Sequence, residues 1–443
     1  MGVGMGERTY VSRSPEETVV SRERLMDKIV IEGGSKLEGT VRISGSKNAV
    51  LPIMAGTLLS SGESVIENVP DLRDVSTMAH VLRVLGAQVD RVDGTLRIDT
   101  GACRYGEAPY ELVRTMRASI YVLGPLVAKL GRARVSLPGG CAWGPRPVDL
   151  HLRGLERLGT DVRLERGYIL AESKGLRGAE IDFEIPSVGA TAHLMMAASL
   201  AKGRTVLGNA AREPEISALA EYLNGMGARI SGHGTARVEI EGVSALGPGS
   251  GRVIPDRIEA GTYMVAALLT RGRLRLEGCE PDHLGTVIDK LVESGATVRS
   301  GQGSVEVRDG GRLRSVDMTT APFPGFPTDM QAQFMALMSL ASDTSRITDT
   351  IFPDRFTHVP ELRRLGARID LEGNTAVVRA VRRLQGAPVM ASDLRASAAL
   401  ILAGLVAEGE TEILRVYHID RGYESIDRKL NDLGARIRRV KAD

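Results

Sequence analysis

The sequence predicts an α+β protein of two domains, each built from three copies of one sheet-and-helix unit. Three observations carry this. At 443 residues the chain exceeds the roughly 250–300 residues at which a single hydrophobic core stops growing. A Leu-Gly-Ala tripeptide or near copy, followed by one residue and then Val or Ile, occurs six times. Six helix-like stretches rich in Ala, Leu and Met alternate with the copies.

The copies are Leu85-Gly86-Ala87, Leu158-Gly159-Thr160, Met226-Gly227-Ala228, Ser294-Gly295-Ala296, Leu365-Gly366-Ala367 and Leu433-Gly434-Ala435, and their glycines are spaced by 73, 68, 68, 71 and 68 residues. This period is longer than the roughly 20–50 residues of solenoids and propellers, so each unit needs a small layered core of its own. Each copy follows a helical stretch, such as Asp149 to Leu158 or Asp282 to Val292, and its glycine fits a helix C-cap. Two short alternating runs come next, as in Ala228 to Ile240, and read as a hairpin. The second helix of each unit covers Asn48 to Leu59, Arg117 to Lys129, Gly189 to Ala201, Glu259 to Thr270, Met330 to Ala341 or Arg395 to Ala407. These six are apolar nearly all round, which predicts burial. Gly247, Gly251 and Pro255 punctuate the chain and place the joint between domains near residues 250 to 256.

Composition narrows the function. A formal net charge of +2 gives no global field for nucleic acid. No run approaches the roughly 20 apolar residues of a membrane span. Residues 1–25 hold no apolar stretch of signal-peptide type and read as a disordered N-terminal leader, with the folded chain starting near Met26. A cytoplasmic location follows as the expectation. The three cysteines, Cys103, Cys141 and Cys279, are odd in number and lack metal spacing, so neither a disulfide framework nor a zinc site is expected. No Walker loop or G-x-G-x-x-G fingerprint is present.

The starts of the six apolar helices are more specific. Ser44-Gly45-Ser46-Lys47-Asn48, Thr115-Met116-Arg117, Ser187-Val188-Gly189, Asp256-Arg257, Thr328-Asp329 and Asp393-Leu394-Arg395 stand there, and four of the six bring Lys or Arg. A helix N-terminus is already partly positive, so a cation placed there calls for an anion. That anion is either a bound polyanion in a cleft or a neighbouring acid such as Asp256 or Asp393. The segment Pro138-Gly139-Gly140-Cys141-Ala142-Trp143-Gly144-Pro145-Arg146-Pro147-Val148-Asp149 is the least like a structural connection. Its thiol lies five residues from Arg146, and a nearby cation makes a thiol more reactive.

With these segments in place the chain resembles the enolpyruvyl transferases from Met26 to its end. The resemblance rests on Gly45-Ser46-Lys47-Asn48, Thr115-Met116-Arg117-Ala118-Ser119, the Pro-Gly-Gly-Cys loop with Arg146 to His151, Ser187-Val188-Gly189-Ala190-Thr191, Phe326 to Gln331, Asp393 to Ser397 and Asp420-Arg421-Gly422-Tyr423. It implies an inside-out α/β barrel of two domains with buried helices and outer sheets. One domain would comprise residues 26–46 plus 255–443, the other residues 47–254 with the cysteine loop 138–149, and the chain would cross twice.

The implied reaction moves the enolpyruvyl group of phosphoenolpyruvate to the 3-hydroxyl of UDP-N-acetylglucosamine, in peptidoglycan synthesis, with small-molecule partners only and no metal or cofactor. By resemblance Asp329 is the general base, and Cys141 is the proton donor, covalent-adduct site and fosfomycin target. Lys47, Arg146 and Arg421 are phosphate contacts, and Arg355 and Arg395 carboxylate contacts. Asn48, Arg117, Arg146, Pro147, Val148, Asp149, Leu150, Ser187, Val188, Gly189, Asp329 and Ile351 match positions that hold the sugar nucleotide. Trp143 and Pro145 depart from the family pattern, in the lid. The rival readings are the shikimate-pathway transferase, a nucleic-acid end-processing cyclase and an inactive paralogue that binds the sugar nucleotide.

Overall fold

The computed structural model describes residues 27–108, 110, 116–137 and 148–441. The expected leader, and with it Cys141, Trp143, Pro145, Arg146 and Pro147, lies outside the described residues. Among the described residues, six four-stranded sheets follow one plan: a short parallel edge strand, a central strand, then an antiparallel hairpin. In the sheet of Arg204–Gly208, Arg229–Ser231 and Arg237–Glu241, the hairpin turns Val238 and Ile240 inward and leaves its Arg and Glu side chains out. This is the alternation expected of a sheet with one wet face.

The repeated glycines do what their position requires. Gly86, Gly159, Gly227, Gly295, Gly366 and Gly434 all have positive φ, between 89° and 108°, a region costly for residues with a Cβ. At Gly86 the amide donates to the Arg83 carbonyl and the Ala87 amide to that of Leu82, both at 3.0 Å. This paired pattern is the Schellman closure. The same two bonds recur around Gly159, Gly227, Gly366 and Gly434.

The six inner helices, labelled α1 to α6 in chain order, are Lys47–Gly56, Leu123–Leu130, Val188–Ala198, Arg257–Leu269, Gln331–Met338 and Leu394–Gly404. Every residue of α5 and α6, and all of α4 after Arg257, is buried. The second helix differs from its expected form. Its first part, Arg117–Val122, is a 3-10 turn, and α2 begins only at Leu123. Outer helices such as Gly285–Glu293 bury a single stripe, here Val287 and Leu291.

Two units are completed by the start of the chain. Strand Asp27–Glu32 lies between Glu410–Leu414 and Arg436–Lys441, in the slot that a hairpin's second strand fills elsewhere. Glu38–Arg42 is the parallel edge strand of Arg273–Glu277. Conversely, Ser250–Arg252 supplies the edge for Glu63–Glu67. The buried apolar side chains accordingly form two clusters, one from residues 29–43 and 258–437, the other from residues 49–253. The chain passes between them at two adjacent points. Gly45 and Pro255 form an antiparallel bridge, and the Ser46 amide donates to the Ile254 carbonyl at 2.7 Å. A Cβ on Gly45 would lie 1.9 Å from the Asn68 carbonyl oxygen, so no larger residue fits this crossing.

Candidate active site

The starts of α1, α5 and α6 share ground with Arg421, and two carboxylates organise the charge there. Asp74, in the first turn of helix Arg73–Val84, lies 3.2 Å from Lys47 Nζ and 2.9 Å from Arg421 Nε. Lys47 opens α1, whereas Arg421 ends the 3-10 turn Val416–Arg421, so this centre ties the two clusters together. Asp329, in the 3-10 turn Thr328–Met330 ahead of α5, accepts from Arg355 Nη1 at 2.7 Å and Arg395 Nη2 at 2.6 Å. Arg395 is the second residue of α6, and both guanidinium groups are buried.

Electrostatics link the two centres. Burial would raise the Asp329 carboxyl, but Arg395 and Arg355 win and hold it well below the usual carboxylate range. Asp74 behaves alike: burial opposes, and Lys47 with Arg421 keeps it low. Burial depresses the Lys47 ammonium; Asp74 and Asp329 oppose this, and Arg421 and Arg395 add to it. Four cations, Lys47, Arg421, Arg355 and Arg395, thus share the two carboxylates.

The remaining expected residues fall around this ground. Asn48 is the second residue of α1 and half-buried. Ser187 caps α3 by accepting from the Ala190 amide at 3.2 Å, with Val188 and Gly189 next. Gly189 leaves room for His151, whose Nε2 lies 3.1 Å from where a Cβ would be. Val148 and Leu150 are half-buried, and Asp149 is exposed and paired with Arg153 at 2.8 Å. The Ile351 amide donates to Asp349, whose other oxygen takes the Thr328 hydroxyl beside Asp329. The Arg117 side chain lies outside the described residues.

Asp256 and Asp393 meet the helix starts through backbone amides. They cap α4 and α6, each accepting two backbone amides, while Arg257 pairs with Glu215 at 3.0 Å and Arg395 with Asp329. The Asp329 oxygens serve guanidinium groups. Sequence reasoning missed Asp74, Glu215 and the role of Tyr423. Asp74 looks like any first-turn acid, a position that the helix dipole favours, and no spacing reveals that its partners lie 27 residues before and 347 after it. Among the described residues no three His, Cys, Asp or Glu side chains group as a metal site, and no helix is long and apolar enough to cross a membrane.

A family model described as EPSP synthase (3-phosphoshikimate 1-carboxyvinyltransferase) matches residues 31–430. A protein of Desulfosudis oleivorans named UDP-N-acetylglucosamine 1-carboxyvinyltransferase is 57% identical over 94% of this chain and 100% of its own length. One of Sorangium cellulosum with the same name is 58% identical over 94% and 99%. Among solved structures, the enolpyruvyl transferase NikO from Streptomyces tendae aligns with a TM-score of 0.86 at 28% identity, covering 94% of this chain and 99% of that one. EPSP synthase from Acinetobacter baumannii aligns at 0.72 with 17% identity, over 94% and 99%, and bears on the fold alone. With its repeats, its paired carboxylate centres and these relatives in agreement, the chain belongs to the enolpyruvyl transferase family, in the branch of the UDP-N-acetylglucosamine 1-carboxyvinyltransferases.

Proposed function

We propose that the chain transfers the enolpyruvyl group of phosphoenolpyruvate to the 3-hydroxyl of UDP-N-acetylglucosamine and releases phosphate, the first committed step of peptidoglycan biosynthesis. The observation that carries this is the sorting of four cations onto two carboxylates. Lys47 and Arg421 gather on Asp74, and Arg355 and Arg395 on Asp329. Phosphoenolpyruvate has a phosphate at one end and a carboxylate at the other, and each pair of cations suits one end.

The reaction is an addition followed by an elimination. Asp329 takes the proton of the 3-hydroxyl as its oxygen bonds to C2, and C3 receives a proton from Cys141. The tetrahedral intermediate then loses a C3 proton as the C2–O bond to phosphate breaks. Pre-placed guanidinium groups stabilise the charge on both ends during the addition. Asp329 held by two arginines is a weak base. When the substrate carboxylate shares Arg355 and Arg395, that restraint eases and its proton affinity rises. The base is thus activated by the substrate that needs it. Lys47 and Arg421, with Arg146, hold the phosphate; Asn48, Arg117, residues 146–150, Ser187 to Gly189 and Ile351 hold the sugar nucleotide. In this reading residues 26–46 plus 255–443 form one domain and 47–254 the other, and the enzyme works in the cytoplasm.

The family model's description names a different acceptor, so the test compares the two. Phosphate release from phosphoenolpyruvate is expected with UDP-N-acetylglucosamine and not with shikimate 3-phosphate. Release with the second alone overturns the proposal, and release with neither supports the inactive paralogue.

A further inference from the structure

Behind Asp329 the three inner helices α4, α5 and α6 meet at one hydroxyl. Tyr423, two residues after Arg421, is 2% exposed. Its Oη lies 2.8 Å from Thr262 Oγ1 on α4, 3.2 Å from Gln333 Nε2 on α5 and 3.3 Å from Arg395 Nη1 on α6. The direction of each bond follows from counting protons. Thr262 has one hydroxyl proton and donates it to the Ile258 carbonyl at 2.7 Å, so towards Tyr423 it accepts. The phenol therefore donates to Thr262, and its oxygen lone pairs are left for Arg395 and Gln333.

Both of those donors lead to Asp329. Arg395 holds Asp329 Oδ2 with its other terminal nitrogen at 2.6 Å. Gln333 donates to the Asp329 backbone carbonyl at 2.9 Å. One phenol thus fixes the guanidinium that grips the carboxylate and, through an amide, the backbone that carries it. Packing alone does not require the hydroxyl, since Phe would fill nearly the same volume. Beside Thr262 on α4, Tyr263 is equally buried, and its hydroxyl has no hydrogen-bond partner.

We propose that Tyr423 is a positioning residue for enolpyruvyl transfer, its hydroxyl setting the Arg395 guanidinium where it meets the carboxylate of phosphoenolpyruvate. This rests on the function proposed above. Deleting the hydroxyl frees Arg395 to swing on its flexible stem, so the loss falls on the substrate that Arg395 holds and not on the sugar nucleotide.

The test uses the full chain and steady-state phosphate release with each substrate varied in turn. Tyr423→Phe is expected to raise KM for phosphoenolpyruvate about tenfold and lower kcat several-fold, with KM for UDP-N-acetylglucosamine within twofold of wild type. Thr262→Val, which keeps the phenol but removes its acceptor, is expected to shift the same KM in the same direction by a smaller factor. Tyr263→Phe, which deletes a hydroxyl that bonds to nothing, is expected to change neither. If Tyr423→Phe fails to fold, the Thr262→Val result decides. A phosphoenolpyruvate KM unchanged within twofold, or an equal rise in both KM values, overturns the proposal. Wild-type protein that turns over only shikimate 3-phosphate, or nothing, would instead overturn the function it rests on.

Discussion

Asp74 and Asp329 are the same device used twice, a carboxylate held between two cations at the edge of the inner helices. They differ in where they stand. The Asp74 side chain is 4% accessible and joins residues from both apolar clusters, while that of Asp329 is 26% accessible and has all its partners within one. Buried pairs contribute little net stability when intact but are costly to break, because the partner left behind is a buried charge. The comparison teaches that accessibility, not the pairing itself, separates a structural clasp from a group that can reach a substrate hydroxyl. In the proposed reaction Asp74 holds cations in readiness and Asp329 also exchanges a proton.

Changes at the clasp break this comparison most severely. Asp74→Asn leaves Lys47 and Arg421 without their carboxylate, and an unfolding free energy lower by about 3 kcal/mol is expected from urea titration. A loss under about 1 kcal/mol would make the clasp a surface pair in all but name. The next effect is on acid stability. Both carboxyls have folded-state pKa values below their unfolded ones, so their stabilisation is present above about pH 4, the unfolded range, and is lost as pH falls through the folded values. The thermal midpoint should therefore drop more steeply below pH 4 in the wild type than in Asp74→Asn. Parallel profiles would remove Asp74 from that account. The smallest effect belongs to the outer sheets. Arg204 pairs with Glu239 on an exposed face where both side chains are a third or more accessible, and Arg204→Gln should change stability by no more than about 0.5 kcal/mol.

Much of the architecture could be read from the chain before any coordinates. Gly86 and its five counterparts betray the units because a C-cap glycine is needed wherever a helix hands over to a strand. The uniformly apolar inner helices announce their burial. The edge strands were invisible for a physical reason: Glu107–Ala108 and Met318–Thr319 are two residues long, too short to show alternation. The exchange of Asp27–Glu32 into the last sheet could not be read from the residues themselves, since pairing across some 400 residues leaves no local trace; it came only from the resemblance. At the site, Lys47, Asp329, Arg355, Arg395 and Arg421 were named from sequence, yet how they sort onto two carboxylates was not. Asp74 has the sequence of an ordinary helix start, and Tyr423 that of an ordinary core residue. Their roles arise only when distant segments meet.

In the proposed reaction Asp329 serves as the base that its accessible position permits. The measurement that addresses it most directly is Asp329→Asn, assayed in parallel for phosphate release and for UDP-N-acetylglucosamine binding by calorimetry. Turnover is expected to fall by about 10²–10⁴, the usual worth of a general base, while the dissociation constant stays within about threefold, each 1.4 kcal/mol being a factor of ten. Turnover within a few-fold of wild type, with binding intact, would contradict it.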